Sequence, residues 1–111
     1  MKAVVFLSEK VAQKCLEKGC SATHANPIAI SVFDALEWLM ITKQLHVKVT
    51  FWQNNGNPYY TFSILRIVKG LQVGCTLNFE IRYKDHYEAY ESGIEYCIDC
   101  LWDVGENEKK S

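Results

Sequence analysis

The sequence has no long hydrophobic run. Its amino end, MKAVVFLSEK, offers one lysine and then five apolar residues, Ala3 to Leu7. That is shorter than the apolar stretch of a secretory signal and far shorter than a membrane span. The expectation is a cytoplasmic protein with no membrane partner. Internal repeats and low-complexity tracts are also absent. So are the P-loop, the dinucleotide-binding glycine pattern, the nucleophile elbow and H-E-x-x-H. His24, His46 and His86 are scattered and belong to no recognisable catalytic signature. On these grounds no catalytic residue, metal or cofactor is assigned. An enzyme with an unrecognised pocket remains one alternative.

The five cysteines, Cys15, Cys20, Cys75, Cys97 and Cys100, are odd in number and come without an export signal. Reduced thiols are therefore expected, not a disulfide framework. Cys97 and Cys100 form a C-x-x-C, the spacing of redox pairs and of half a zinc site. A redox pair gains reactivity at a helix N-terminus. This pair falls in the last turns of an expected helix, where the helix dipole opposes a thiolate, and Asp99 between them opposes it further. A four-thiolate zinc site with Cys15 and Cys20 is weakened because CLEKGC spans a helix and its cap, not a tight knuckle. Cys97 reads best as a small core residue.

What is present is an ordinary globular composition. The chain has 111 residues, 49% hydrophobic and 23% charged, which fits one domain over residues 1–104 followed by a polar tail, 105–111. Net charge is −1 but unevenly spread. Residues 1–83 hold nine Lys/Arg against five Asp/Glu, and residues 84–111 hold three against eight. Opposite ends of this kind suit a partner or a self-complementary dimer, in which case reversing charge at Glu88, Glu91 and Glu95 should loosen self-association. An ordinary solvated helix face explains the acidic residues more simply.

The chain reads as α-α-β-β-β-α. Ser8 is a helix N-cap candidate, with Leu7 and Ala12 at staple positions, a stripe of Val11, Cys15 and Leu16, and Gly19 as C-cap. Ala3 to Leu7 could add a short strand. Ser31 with Asp34 resembles a shortened capping box. It opens a second helix with a stripe of Val32, Phe33, Leu36, Leu39 and Met40, and Trp38 lies off its centre. The period then changes to two. Leu45, Val47, Val49 and Phe51 alternate with polar residues up to Asn55-Gly56, the strongest short hairpin signal. That turn sets 51 against 60, 49 against 62 and 47 against 64, so Tyr60, Phe62 and Ile64 share the inner face. CTLNFEIRY supplies a third strand with Cys75, Leu77, Phe79, Ile81 and Tyr83 inward, joined through Lys69 to Gly74. A last helix follows Asp85, with Tyr87, Tyr90, Ile94, Cys97 and Leu101 as its stripe. The expected fold class is α+β: a three-stranded antiparallel meander with helices packed on one face.

Lys48, Arg66 and Arg82 with Trp52 and Tyr59 fall on the outer sheet face, together with Glu80, while Trp38 lies away from the core stripe. Lys48, Trp52, Tyr59, Arg82 and Trp38 are therefore the candidate binding surface. The leading reading is a small non-catalytic interaction or accessory module that binds a macromolecular partner or itself, including as a homodimer. Nucleic-acid binding through the outer sheet face is the other alternative.

From Ser31 to Trp102 the element order resembles that of a double-stranded-RNA-binding domain. That family carries a basic cluster at the start of its final helix. The matching stretch here, YKDHYEAYE, has Lys84 followed by Asp85, Glu88 and Glu91, which would repel phosphate. SVFDALEWL, the tyrosine-containing hairpin and YEAYESGIEYCIDCL together resemble short uncharacterised proteins of Bacteroidales and their phages or mobile elements. The likeness spans residues 31–102 and implies no activity or site residues.

Overall fold

The computed structural model describes residues 4–25 and 28–103, including their side chains except at 54 and 77–80. Three helices, α1 (Glu9–Glu17), α2 (Val32–Lys43) and α3 (His86–Cys100), accompany five strands. These are β1 (His24–Ala25), β2 (Ile28–Ala29), β3 (Leu45–Asn54), β4 (Asn57–Val68) and β5 (Leu71–Tyr83). The fold class is α+β. Strands β3, β4 and β5 form an antiparallel meander with β4 central, and β1 and β2 form a separate two-stranded ribbon. No described helix is long and apolar enough to cross a membrane. The tail expected at 105–111 lies outside the described residues.

The hairpin follows its turn. Asn55 and Gly56 both have positive φ, 50° and 79°, as a type I′ turn requires. Phe51 pairs with Tyr60, Val49 with Phe62 and Val47 with Ile64. Lys69 and Gly70 repeat the device at φ 51° and 78°. The third strand therefore starts at Leu71, four residues before Cys75. Its facing also differs from simple alternation. Between the pairs Phe62–Asn78 and Tyr60–Tyr83, β5 uses five steps where β4 uses two. The three extra residues are an odd number, so the phase inverts across the irregularity. Tyr83 faces the helices, but Cys75 pairs with Leu65 on the other face and is exposed, and Ile81 is exposed as well. The expected facing of Leu77 and Phe79 concerns side chains outside the described set.

Helices α2 and α3 lie on one face of the sheet, and α1 packs on α3. The core joins all three helices to β3 and β4 through Val11, Cys15, Ile30, Val32, Ala35, Leu39, Leu45, Phe62, Ile64, Ile94 and Cys97. Close approach of α3 to the sheet depends on Gly93, which is buried against Val47 and Phe62.

The helix ends show why the local sequence folds this way. At the end of α1, Gly19 N–H donates to Leu16 O and Cys20 N–H to Cys15 O, both at 3.0 Å. This is a Schellman motif, whose flanking side chains normally touch. The Cys15/Cys20 spacing is thus the geometry of a helix end. At α2, Ser31 Oγ accepts from Asp34 N–H at 3.1 Å. Asp34 does not return directly to Ser31. Thr23 relays instead: its Oγ1 accepts from Ser31 N–H at 2.9 Å and donates to Asp34 Oδ2. Asp85 caps α3 by accepting from Tyr87 N–H at 2.7 Å. Residues 5 to 7 run beside 30 to 32, joined by Leu7 N–H to Ile30 O and Val32 N–H to Val5 O, both 2.9 Å, in a single bridge and not a full strand.

Two expectations about the helices need correction. The buried residues of α2 are Val32, Ala35 and Leu39, whereas Phe33 and Met40 are exposed. The small Ala35 lets the helix settle on a different meridian from the one its largest side chains mark. The acidic face of α3 is not a free solvated face either. Ser8 donates to Glu91 Oε1 through both its N–H (3.0 Å) and its hydroxyl. Lys14 Nζ lies 3.1 Å from Glu95 and 2.8 Å from Asp99, and Lys10 Nζ lies 3.5 Å from Glu95. The oppositely charged parts of the chain meet within one molecule, which removes them as the ground for a self-complementary dimer.

Candidate binding surface on the outer sheet face

The strand alternation that turns Val47, Val49, Phe62 and Ile64 toward the helices turns Lys48, Thr50, Trp52, Tyr59, Thr61 and Ser63 the other way. Trp52 and Tyr59 are direct cross-strand partners. Their rings stack with 6.5 Å between centroids and 17° between planes. From the opposite flank of β4, Arg82 places its guanidinium carbon 4.4 Å from the Tyr59 centroid, within cation–π range. Tyr59 is held between an indole on β3 and a guanidinium on β5. Below it, Trp52 Nε1–H donates to Thr61 Oγ1 at 2.8 Å. Thr61 is only 1% exposed, while Trp52 is 41% exposed. The indole covers the hydroxyl and satisfies it, which fixes the ring.

Four of the five residues named from sequence thus lie on one face: Lys48, Trp52, Tyr59 and Arg82. Lys48 is exposed and pairs with Ser63, farther along the sheet. Strands β3 and β4 contain no Asp or Glu, and β5 contains only Glu80. Among the described residues no carboxylate pairs with Lys48 or Arg82. Arg66, expected on this face, instead pairs with buried Leu45 on the helix side, where its Nη2 donates to Leu101 O at 3.4 Å. Trp38 lies elsewhere too. It is half-buried on α2 and packs on Trp102, with ring centroids 5.3 Å apart, while Lys43 and Lys18 sit over the Trp102 ring at 4.7 and 5.6 Å. Residues beyond the third helix cover one side of Trp38.

The cysteines separate by environment. Cys15 and Cys97 are fully buried and Cys20 nearly so, whereas Cys75 and Cys100 are exposed. Burial pushes the Cys97 thiol up to about 12, with Arg66 pulling it down and Cys15 adding to the rise. Cys15 is also pushed up to about 12, by burial first and then by Cys20 and Glu91. Cys97 and Cys100 therefore do not act as one unit. Among the described residues no group of three His, Cys, Asp or Glu side chains is arranged to hold a metal ion.

A cleft of about 330 Å³ between the end of α1 and α2 brings Cys20, Asp34, Trp38 and Ile41 together. Burial, and then the charge of Asp34, raise the Cys20 thiol. Those surroundings favour the neutral thiol and oppose nucleophilic use. A second cluster lies near the hairpin tip, where Phe51, Tyr60 and His86 pack in series as tilted rings, with centroids 5.3 and 5.7 Å apart. The sequence pattern missed it because His86 reaches the hairpin from the start of α3. No protein-family model, curated protein or solved structure matches the chain.

Proposed function

We propose that this chain is a small non-catalytic interaction module that docks a protein partner through the outer face of its sheet. The supporting observation is the fixed Trp52–Tyr59–Arg82 row. Trp, Tyr and Arg are the side chains that most often dominate binding energy at protein interfaces. Here their rotamers are held before any partner arrives, by stacking and by the Trp52–Thr61 hydrogen bond. Preorganised side chains lose less entropy on docking.

The same row favours a protein over a nucleic-acid strand. Bases stack on open ring faces. Tyr59 is flanked by Trp52 and by Arg82, which leaves less of its ring open to a base. Nucleic-acid binding through this face is the competing outcome of the test.

The test places a photo-crosslinking amino acid at Thr50, on this face, and in a control chain at Gln13, on exposed α1, in the cells of origin. The proposal expects a discrete adduct from position 50 that is lost when Trp52→Ala and Arg82→Ala are added. Adducts from position 13 alone, or only nucleic-acid adducts from position 50, would refute it. Sedimentation of the purified chain identifies the case in which the partner is a second copy.

A further inference from the structure

We propose that the outer face recognises an acidic segment in extended conformation, gripped by Arg82 and Lys48. This deepens the docking reading above and rests on it. Arg82 holds its guanidinium carbon 4.4 Å from the Tyr59 centroid, and among the described residues no acceptor takes up its N–H groups. A guanidinium with open N–H groups can make a two-point bond to a carboxylate. Among the described residues no carboxylate satisfies it, and none pairs with Lys48.

Among the described residues, three acids of α3 are engaged elsewhere. Glu91, Glu95 and Asp99 face α1. Strands β3 and β4 carry no acid, and β5 carries one, Glu80.

Spacing narrows the ligand further. Arg82 adjoins Tyr83, which pairs with Tyr60, while Lys48 pairs with Ser63. Two interstrand steps of about 4.8 Å and about 7 Å along the strands put the backbone positions of the two residues about 12 Å apart. In an extended chain, residues i and i+4 point the same way and lie about 13 Å apart. A segment with carboxylates four residues apart therefore meets both cations while its backbone passes over β4 beside the Trp52–Tyr59 row.

The probe is an amidated nine-residue Ser/Gly peptide with glutamates at positions 3 and 7, titrated into the full chain. Its control carries glutamines at both positions. The readout is the NMR signal of the Trp52 indole N–H, with the Trp38 and Trp102 signals as internal references. The expected result is a saturable shift at Trp52, at least about tenfold weaker for the glutamine peptide. Arg82→Lys should weaken binding several-fold although it keeps the charge, because it removes the planar fork.

Equal shifts with both peptides, or no shift at Trp52, would overturn the inference. So would an oligothymidylate of equal charge that binds as tightly as the glutamate peptide, since the face would then read polyanions in general. Protein adducts at position 50 alongside an inert glutamate peptide would overturn only the choice of ligand. Absence of any protein adduct at position 50 in the chain with Trp52 and Arg82 intact would overturn the docking reading itself.

Discussion

Gly93 on α3 lies so close to Val47 on β3 that a Cβ built at 93 would stand 2.5 Å from Val47 Cγ1 and 3.4 Å from Phe62 Cδ2. A helix glycine normally costs about 1 kcal/mol relative to alanine. Here it sets the distance between helix and sheet. Gly93→Ala should gain that propensity but incur about 1–3 kcal/mol of overpacking. The expected net loss is about 1–2 kcal/mol in urea unfolding. Combined with Val47→Ala, which makes room, the two losses should add to less than their sum. Strict additivity would mean the helix shifts without strain.

The seam between α1 and α3 should be electrostatic in character. Burial favours the neutral Lys14, but hydrogen bonds to Asp99 and then Glu95 outweigh it and hold the ammonium pKa above its usual value. Glu95→Lys should loosen α1 and raise the labelling rate of Cys15 by roughly two- to fivefold, the scale of partly exposed ion pairs. Adding Lys14→Glu should recover part of the protection. A Cys15 rate indifferent to both changes would mean apolar packing alone holds the helix.

Alkaline pH should unfold the protein through its buried thiols. Cys15 and Cys97 rise from 9.0 to about 12 in the folded state. Below pH 9 both states are protonated and the stability is fully present. Between about 9 and about 12 the unfolded chain loses protons that the folded chain keeps, so stability falls. Urea midpoints measured from pH 7 to 11 should decline above 9, and Cys15→Ala with Cys97→Ala should flatten that decline. At pH 7.5 a thiol reagent should modify Cys75 and Cys100 first.

The indole of Trp52 should contribute to stability as well as to docking. Trp52→Phe keeps a ring but leaves the buried Thr61 hydroxyl without its donor. A loss of about 1–3 kcal/mol is expected. Thr61→Val in the same chain should return part of it. Failure of that second change to help would show that the loss comes from contact area and not from the hydroxyl.

Much of this architecture is legible in the residues because it is local. Asn55-Gly56 fixes one register, alternation fixes one facing, and together they specify β3 and β4 pair by pair. The same alternation carries Lys48, Trp52, Tyr59 and Arg82 to one face. Where a distant element decides, the pattern is silent. The bulged stretch of β5 inverts its facing because β4 leaves three residues over. Phe33 and Met40 are exposed although they are the larger side chains, because α2 lies on Ala35 and Leu39. The acids of α3 look solvated until α1 is placed beside them, and Ser8 and Glu91 are 83 positions apart. Trp38 looked free because its cover, Trp102, follows the last helix.

That 83-residue separation also orders the assembly of the molecule in time. Joining β3 to β4 closes a two-residue turn, and joining β4 to β5 closes another. Seating α1 on α3 closes the 83-position separation of Ser8 and Glu91, with the larger entropy that this entails. The meander should therefore form early and the first helix arrive last. Substitutions at Val11 or Cys15 should then speed unfolding while scarcely changing the folding rate, and substitutions at Val49 or Phe62 should slow folding. During synthesis α1 emerges well before α3, so Val11, Ala12 and Cys15 wait for the helix they pack on.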